Sequence, residues 1–301
     1  MDTSSIDYSQ IIIDTINELF SSLFSSIDNS IYSLLDKITF IDESILSDNL
    51  FDKALNSVYG LTGIANALLI GFVIYYCSRL MLSHFVGINI EKPYQFLTKV
   101  LLCCICINSS MFFCEEILKI NSLLSDCICE IGNNICSKDI SFNTLIEETN
   151  IFLNSNTEFN IFSFNGIIKS VITSGLISLL FSYSIRFILV KIFILLSPFA
   201  ILSLVMQSTS WLFKIWLRTI CSLLLLQSFV SLILLIIFTI NLSSLDVLSQ
   251  ISYISAIYIL SKANSYIKEL LGGISTDFNY NITSLKTLFR WLEVLNEIYF
   301  S

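Results

Sequence analysis

Few residues in this sequence carry side chains that could perform acid–base or metal chemistry. The single histidine, His84, has no second histidine to act with, and a solvated histidine in a turn is far more common than a catalytic one. The nine cysteines are scattered. Cys127, Cys129 and Cys136 form a C-x-C-x6-C pattern, which lacks the paired spacing and the fourth ligand of a zinc site. Phosphate-loop, HExxH and GxSxG motifs are also missing, so we expect no enzyme activity, no metal and no cofactor.

Polar residues inside apolar runs are the remaining candidates for chemistry. Lys169, Gln227 and the Asn108-Ser109-Ser110 trio could contact a transported molecule, but hydrogen bonding between neighbouring helices is the commoner role of such groups. Lys169 could also extend its amine to a membrane surface. Paired acidic residues do not occur inside these runs, which argues against a proton-driven carrier.

The composition indicates the class of protein to which these residues belong. The chain has 301 residues, of which 54% are hydrophobic and 13% are charged, and its mean hydropathy is +0.78. Soluble domains have about 25% charged residues, so an all-α integral membrane protein is expected. The net charge of −8 and the lack of a basic stripe argue against stable nucleic-acid binding. The N-terminal residues do not follow the order of a secretory signal, so we expect insertion through internal helices.

The apolar runs predict about five membrane-spanning helices, because a span needs about 20 apolar residues. The expected spans cover residues 58–80, 94–114, 163–186, 218–241 and 245–262. Pro198 interrupts the run at 190–213, and proline breaks or kinks a helix. A sixth span there would place Lys214 and Arg218 outside, against the positive-inside rule. We therefore expect 190–213 to be a broken re-entrant or interfacial segment, with six crossings as the alternative.

The charges also divide the chain into regions and orient it in the cytoplasmic membrane. Residues 1–53 hold ten acidic and two basic residues, and residues 115–160 hold eight acidic and two basic residues. We expect both to lie outside, as an acidic amphipathic N-terminal arm and a polar extracytoplasmic loop. Residues 54–114 are assigned to spans one and two, residues 161–262 to spans three to five, and residues 263–301 to a cytoplasmic C-terminal arm.

Both arms contain amphipathic helical patterns. In residues 9–38 the face opposite the apolar stripe is acidic, which favours binding to a partner or self-packing over attachment to a membrane surface. One form of self-packing is against the outer loop of the same chain. A second pattern near the C-terminus, over residues 282–300, predicts a helix for a partner or for oligomerisation. In an oxidising exterior one disulfide could form among Cys127, Cys129 and Cys136; reduced packing cysteines are the alternative.

From Arg186 onward the sequence RFILVKIFILLSPFAILSLVMQSTSWLFKIWLRTICSLLLLQSFVSLILLI resembles the core of the TrbL-like family. These are polytopic inner-membrane proteins of type IV secretion and conjugal transfer systems. The shared features are a basic residue that closes one span, a Pro-Phe-Ala turn at Pro198, a basic segment with tryptophans, and a long apolar span with an internal Gln227. The basic segment with tryptophans comprises Trp211, Lys214, Trp216 and Arg218. The resemblance covers about residues 58–262.

The resemblance implies a non-enzymatic channel or scaffold subunit of a DNA-transfer machine. Pro198, Trp211, Lys214, Trp216 and Arg218 would form its broken element on the cytoplasmic side, although the tryptophans could equally anchor at the lipid interface. The implied partners are the lipid bilayer, further copies of the chain, other membrane subunits, ATPases, and transiently single-stranded DNA or a relaxase. Abundant Ile, Asn and Ser with little Ala indicates a Gram-positive bacterium with an AT-rich genome. The alternative function is the permease subunit of an exporter with a separate ATPase.

Overall fold

The computed structural model describes residues 34–47, 49–56, 60–87, 91–137, 139–145, 164–239 and 247–271, together with residues 15, 17–19, 22 and 147. Within these residues the secondary structure is helical and contains no strand. The main helices are α1 (Leu61–Val86), α2 (Pro93–Asn108), α3 (Ser110–Cys136), α4 (Phe164–Leu195), α5 (Ser197–Leu202), α6 (Ser210–Thr239) and α7 (Val247–Leu271).

The described helices include three that are long and apolar enough to cross a membrane. They lie at Leu61–Phe85, Ser170–Leu195 and Ser210–Thr239. Helices α2 and α3 meet the same standard only as a pair that bends by 64°, so the described residues supply up to four candidate spans. The expected membrane-helix class agrees with this architecture, whereas the expected number of five crossings stays a prediction.

Residues 247–262 of the fifth expected span, which was placed at 245–262, lie in α7, and α7 is not one of the candidate spans. Its sequence interleaves apolar residues with five serines and Asn264, and its last turns carry Lys262, Lys268 and Glu269. Helix α7 packs along α4 and α6, and Leu260 and Ala263 are fully buried in that contact. Burial against protein, rather than uniform apolarity, therefore accounts for this helix.

Helix α6 is the centre of the bundle. In its most apolar window 67% of the residues are buried, against 11% in α1. One side of α6 packs against α3 and another side against α7. The α1–α2 hairpin packs instead on α5 and on the short 3₁₀ turn Ser203–Val205, at the edge of the bundle. The large apolar side chains on the outer face of α1 therefore remain exposed.

Residues 34–56 are part of the bundle rather than a separate arm. Residues 34–39 are helical, and a 3₁₀ turn follows at Glu43–Ser47. The side chains of Leu35, Ile41 and Phe51 are at most 2% exposed and belong to the same apolar clusters as α4 and α6. Among the described apolar positions of the predicted amphipathic pattern, Leu35 is fully buried, whereas Leu19 and Leu34 are 60% and 49% exposed. Most of the predicted helix at 9–38 and all residues beyond 271 lie outside the described residues.

Helix α3 occupies much of the region that was expected to be a polar loop. It continues to Cys136 and ends where Ser137 adopts a left-handed conformation, with φ of 55°. Buried residues recur along one face, at Cys114, Leu118, Asn121 and Ser125, which explains why a sequence rich in polar residues is helical here. Residues 142–145 are helical again.

The position of Cys127, Cys129 and Cys136 on α3 determines whether they can form a disulfide. Cys127, Cys129 and Cys136 all lie on α3, and all nine cysteines are free. Residues two apart on a helix point to different sides, and seven residues span about 10.5 Å, which exceeds the reach of a disulfide. Of the two alternatives, a disulfide among these three residues is therefore incompatible with an intact α3.

Candidate functional site

The break expected around Pro198 is present between α4 and α6. Helix α4 continues to Leu195, and α5 begins at Ser197, so that Pro198 lies in the first turn of α5. Proline is tolerated there because that turn has unpaired backbone N–H groups in any case. The 3₁₀ turn and a tight turn at residues 206–209 lead into α6. The broken segment is therefore residues 196–209, shorter than the expected 190–213.

Two of the five predicted site residues are buried and hold this break together. Pro198 is buried in α5. The Trp216 indole Nε1 donates a 2.8 Å hydrogen bond to the backbone carbonyl of Phe193, near the end of α4. Its ring also lies 5.8 Å from the ring of Phe213. Trp216 thus ties the start of α6 back onto the end of α4, and its surroundings differ from those of an interfacial anchor.

The other three predicted residues form an exposed row on α6. Trp211 is 55% exposed, and Lys214 and Arg218 are also exposed. Steps of three and four residues place them on one helical face. We refer to Trp211, Lys214 and Arg218 as the basic row. The structure therefore divides the predicted set into a buried pair that fixes the break and an exposed row that can contact lipid, protein or an anionic polymer.

Arg186 was expected to close a span, and this expectation is wrong. The apolar residues that follow it continue α4 to Leu195, and the Arg186 side chain is fully buried. Its Nε donates a 2.6 Å hydrogen bond to the Leu223 carbonyl on α6, and its Nη1 donates one of 2.9 Å to the Thr39 carbonyl. No acidic partner for Arg186 occurs among the described residues, and its Nη2 has no hydrogen-bond partner there.

Gln227 makes the second contact between α6 and the N-terminal segment. Its Oε1 accepts hydrogen bonds from the backbone N–H of Ile41, at 3.1 Å, and from Nδ2 of Asn121 on α3, at 3.0 Å. One turn further along both helices, the hydroxyls of Ser125 and Ser231 lie 2.7 Å apart. The prediction that Gln227 bonds neighbouring helices is confirmed. We call Arg186, Gln227, Asn121 and Thr39 the polar centre.

Asp36 forms hydrogen bonds at the beginning of the segment that ends at Ile41. Its carboxylate accepts hydrogen bonds from the backbone N–H groups of Phe142, at 2.9 Å, and Asn143, at 3.3 Å. Burial raises the pKa of Asp36 above its ordinary value, and the two N–H donors oppose that rise. The segment from Asp36 to Ile41 is thereby bonded to three different parts of the bundle.

The remaining polar candidates lie at the periphery. His84 is exposed in the last turn of α1, so it is helical rather than in a turn. Oδ1 of Asn108, at the end of α2, accepts a 3.0 Å hydrogen bond from Nδ2 of Asn66 on α1. This is the expected contact between helices. No group of metal-ligating side chains is found among the described residues. The side chain of Lys169 lies outside the described part of the chain.

A cavity of about 320 Å³ opens between the α1–α2 hairpin and the broken segment. Tyr76 forms part of its lining: the ring stacks on Phe96 with centroids 3.8 Å apart, and the hydroxyl donates a 2.7 Å hydrogen bond to the Glu91 carbonyl. The Glu91 carboxylate pairs with Lys99. Other lining residues are Tyr75, Arg79, Val205, Met206, Gln207 and Ser208. Sequence analysis missed this cavity, because its walls are distant in the chain.

In the part of the chain that the structure describes, these features define an all-helical bundle with three, or up to four, helices long and apolar enough to cross a membrane. No family model, curated protein or solved structure matches the chain.

Proposed function

We propose that the chain is a non-enzymatic structural subunit, a channel or scaffold component, of a type IV secretion machine that transfers DNA across the cytoplasmic membrane. The observation that carries the proposal is the arrangement of the block at 186–230. A long apolar helix breaks at Pro198, a segment with tryptophans and basic residues follows, and a second long apolar helix contains Gln227. This is the order of features on which the resemblance to the TrbL-like family depends.

The packing of the bundle supports a scaffold that works as an oligomer. In the polar centre, Arg186 on α4 and Gln227 on α6 form hydrogen bonds to a neighbouring helix and to the segment at 34–41. They are therefore used to hold the bundle together rather than to line an open passage within the described part of one copy. In this proposal a passage for the substrate lies between copies, or between this chain and other membrane subunits.

The basic row supplies the contact surface for those partners. Two exposed cations and an indole on one face suit the acidic surface of an ATPase or, transiently, the phosphates of single-stranded DNA. The proposal places this row on the cytoplasmic side, because basic residues next to spans favour that side. The N-terminus is then outside and the C-terminus is in the cytoplasm.

Conjugative transfer is the activity that tests the proposal. The gene is deleted in its host, and transfer of the mobile DNA to a recipient is counted with the wild-type gene, no gene or a variant supplied in trans. The combined variant Trp211→Ala, Lys214→Gln, Arg218→Gln is expected to lower transfer while the membrane content of the protein stays unchanged. A matched control on α7 (Tyr266→Ala, Lys262→Gln, Lys268→Gln) is expected to transfer normally.

The same strains separate this function from its alternative. Unchanged transfer after deletion overturns the proposal. Purification of the chain with a nucleotide-binding subunit whose ATP hydrolysis is stimulated by a small substrate would then assign it to an exporter as the permease subunit.

A further inference from the structure

The cavity beside Arg79 has a charge that nothing in the described structure balances. Glu91 and Lys99 neutralise each other. Arg79, which lines the cavity and is exposed, forms no ion pair with any described carboxylate. One positive charge is therefore left at the cavity, and a ligand with a single negative charge would neutralise it.

The lining supplies the other groups that such a ligand needs. The Tyr75 and Ser208 hydroxyls and the Gln207 amide are hydrogen-bond donors, and the stacked rings of Tyr76 and Phe96 provide an apolar wall. Helix α2 begins at Pro93 and α6 begins at Ser210, so the positive ends of two helix dipoles lie next to lining residues. About 320 Å³ falls within the usual range of small-molecule sites, roughly 300–1,000 Å³.

Exposed apolar side chains occur one residue away from lining residues on three elements that form the cavity. Ile74, Leu97 and Leu204 adjoin lining residues in sequence and are 62%, 66% and 38% exposed. They belong to α1, to α2 and to the 3₁₀ turn. Acyl chains attached to a bound headgroup would cover this apolar surface, whereas a soluble phosphate ester would leave it bare.

We infer that this cavity binds a phosphodiester anion, supplied by the headgroup of an anionic phospholipid, with Arg79 as its charged partner. The site is separate from the basic row, and the inference does not depend on the role in DNA transfer. The lipid joins the α1–α2 hairpin to the broken segment, so its binding stabilises the contact between the edge of the bundle and its centre.

The full-length chain, purified in detergent and stripped of lipid, is suited to the test. Thermal unfolding is followed with added phosphatidylglycerol, phosphatidylcholine or glycerophosphoglycerol, the soluble phosphodiester of the phosphatidylglycerol headgroup. Phosphatidylglycerol at ~100 times its Kd is expected to raise the unfolding midpoint by about 5 °C more than phosphatidylcholine does. Arg79→Gln is expected to lose that difference, Arg79→Lys to keep most of it, and Lys268→Gln, a cation on α7 away from the cavity, to keep all of it.

A second variant covers the case in which Arg79→Gln does not fold. Gln207→Ala with Ser208→Ala removes two donors without changing the charge and is expected to reduce the response to phosphatidylglycerol. If glycerophosphoglycerol alone gives the full rise, and Arg79→Gln abolishes it, the anion site stands and its ligand is soluble. A response to phosphatidylglycerol that is equal in wild type and in these variants, or no greater than that to phosphatidylcholine, overturns the inference.

Discussion

Arg186 and Thr39 are 147 residues apart in the chain, yet Nη1 of Arg186 donates a 2.9 Å hydrogen bond to the backbone carbonyl of Thr39. The same guanidinium bonds the Leu223 carbonyl on α6 through Nε. One side chain on α4 therefore joins the N-terminal segment to the central helix. Since a buried charge is costly to desolvate, this arrangement requires that both carbonyl contacts be retained.

Arg186→Lys is the variant that tests this link. A lysine amine has one charged centre and lacks the planar fork that reaches two carbonyls on different elements. We expect the free energy of unfolding to fall by about 2–3 kcal/mol, roughly the value of one hydrogen bond to a charged group. Hydrogen exchange at residues 39–41 should also speed up, because the segment loses its attachment to α4.

Arg218→Lys is the matched control, since Arg218 is exposed on α6 and such changes are usually worth less than about 0.5 kcal/mol. Equal stability and equal exchange in Arg186→Lys and the wild type would mean that the Thr39 contact does not hold the segment.

Gln227→Leu tests the second attachment of the segment. The leucine is close in volume but leaves the Ile41 N–H and the Asn121 amide without their acceptor. We expect a loss of about 2–4 kcal/mol, because each unsatisfied buried donor costs about 1–3 kcal/mol. Chemical denaturation of the single and double variants measures this loss.

The double variant Gln227→Leu, Asn121→Leu is the decisive comparison. It removes both partners of the bond between α3 and α6, so its loss should be smaller than the sum of the two single losses. Strict additivity would show that the two amides do not interact.

Some of this architecture could be predicted from the sequence, because it depends on local patterns. Long apolar runs predicted helices α1, α4 and α6, and Pro198 predicted the break between α4 and α6. The polar centre could not be found in the same way, since Ile41 and Gln227 are 186 residues apart in the chain. Charge counting placed Arg186 at a helix end, because it assumes that cations stay near water, and the two carbonyls that hold Arg186 inside have no sequence signal.

The sequence of helix α3 contains a polar pattern that matches one on α6. Asn121 and Ser125 are four residues apart on α3, as are Gln227 and Ser231 on α6, and the two pairs meet across the helices. Such matched polar steps indicate two helices that face each other. Polarity alone predicts a loop here, whereas the amphipathic period over 110–136 favours a helix.

Two tryptophans on α6 provide a matched pair of variants. Trp216→Phe keeps most of the buried ring but removes the 2.8 Å hydrogen bond from Nε1 to the Phe193 carbonyl. We expect it to lower the unfolding free energy by at least about 1 kcal/mol. Trp211→Phe alters a side chain that is 55% exposed and should change the stability by less than about 0.5 kcal/mol. The reverse order of effects would contradict the assignment of Trp216 as the residue that fixes the break.

Two glycines should respond in opposite directions to alanine. A Cβ on Gly132 in α3 would lie 1.7 Å from Cδ1 of Ile140 and 2.9 Å from Cδ1 of Leu235, so neighbouring side chains must move. We expect Gly132→Ala to destabilise the protein by about 1–3 kcal/mol. A Cβ on Gly71 in α1 meets nothing within 4 Å, and Gly71→Ala should stabilise the helix by about 0.5–1 kcal/mol. Thermal unfolding of both variants checks this, and a stabilising Gly132→Ala would contradict the close packing of α3 there.

Asp36 should make stability depend on pH in the acid range. Burial raises its pKa in the folded chain above the ordinary 3.8, although the Phe142 and Asn143 N–H groups partly offset that rise. Folding therefore favours the protonated carboxyl: its contribution to stability is complete below about 3.8 and is lost as the pH rises through the higher folded pKa. The unfolding midpoint of the wild type, measured relative to that of Asp36→Asn, should accordingly increase as the pH is lowered from about 7 to about 4. A relative midpoint that stays constant, or that falls on acidification, would show that the two N–H donors outweigh burial at this carboxylate.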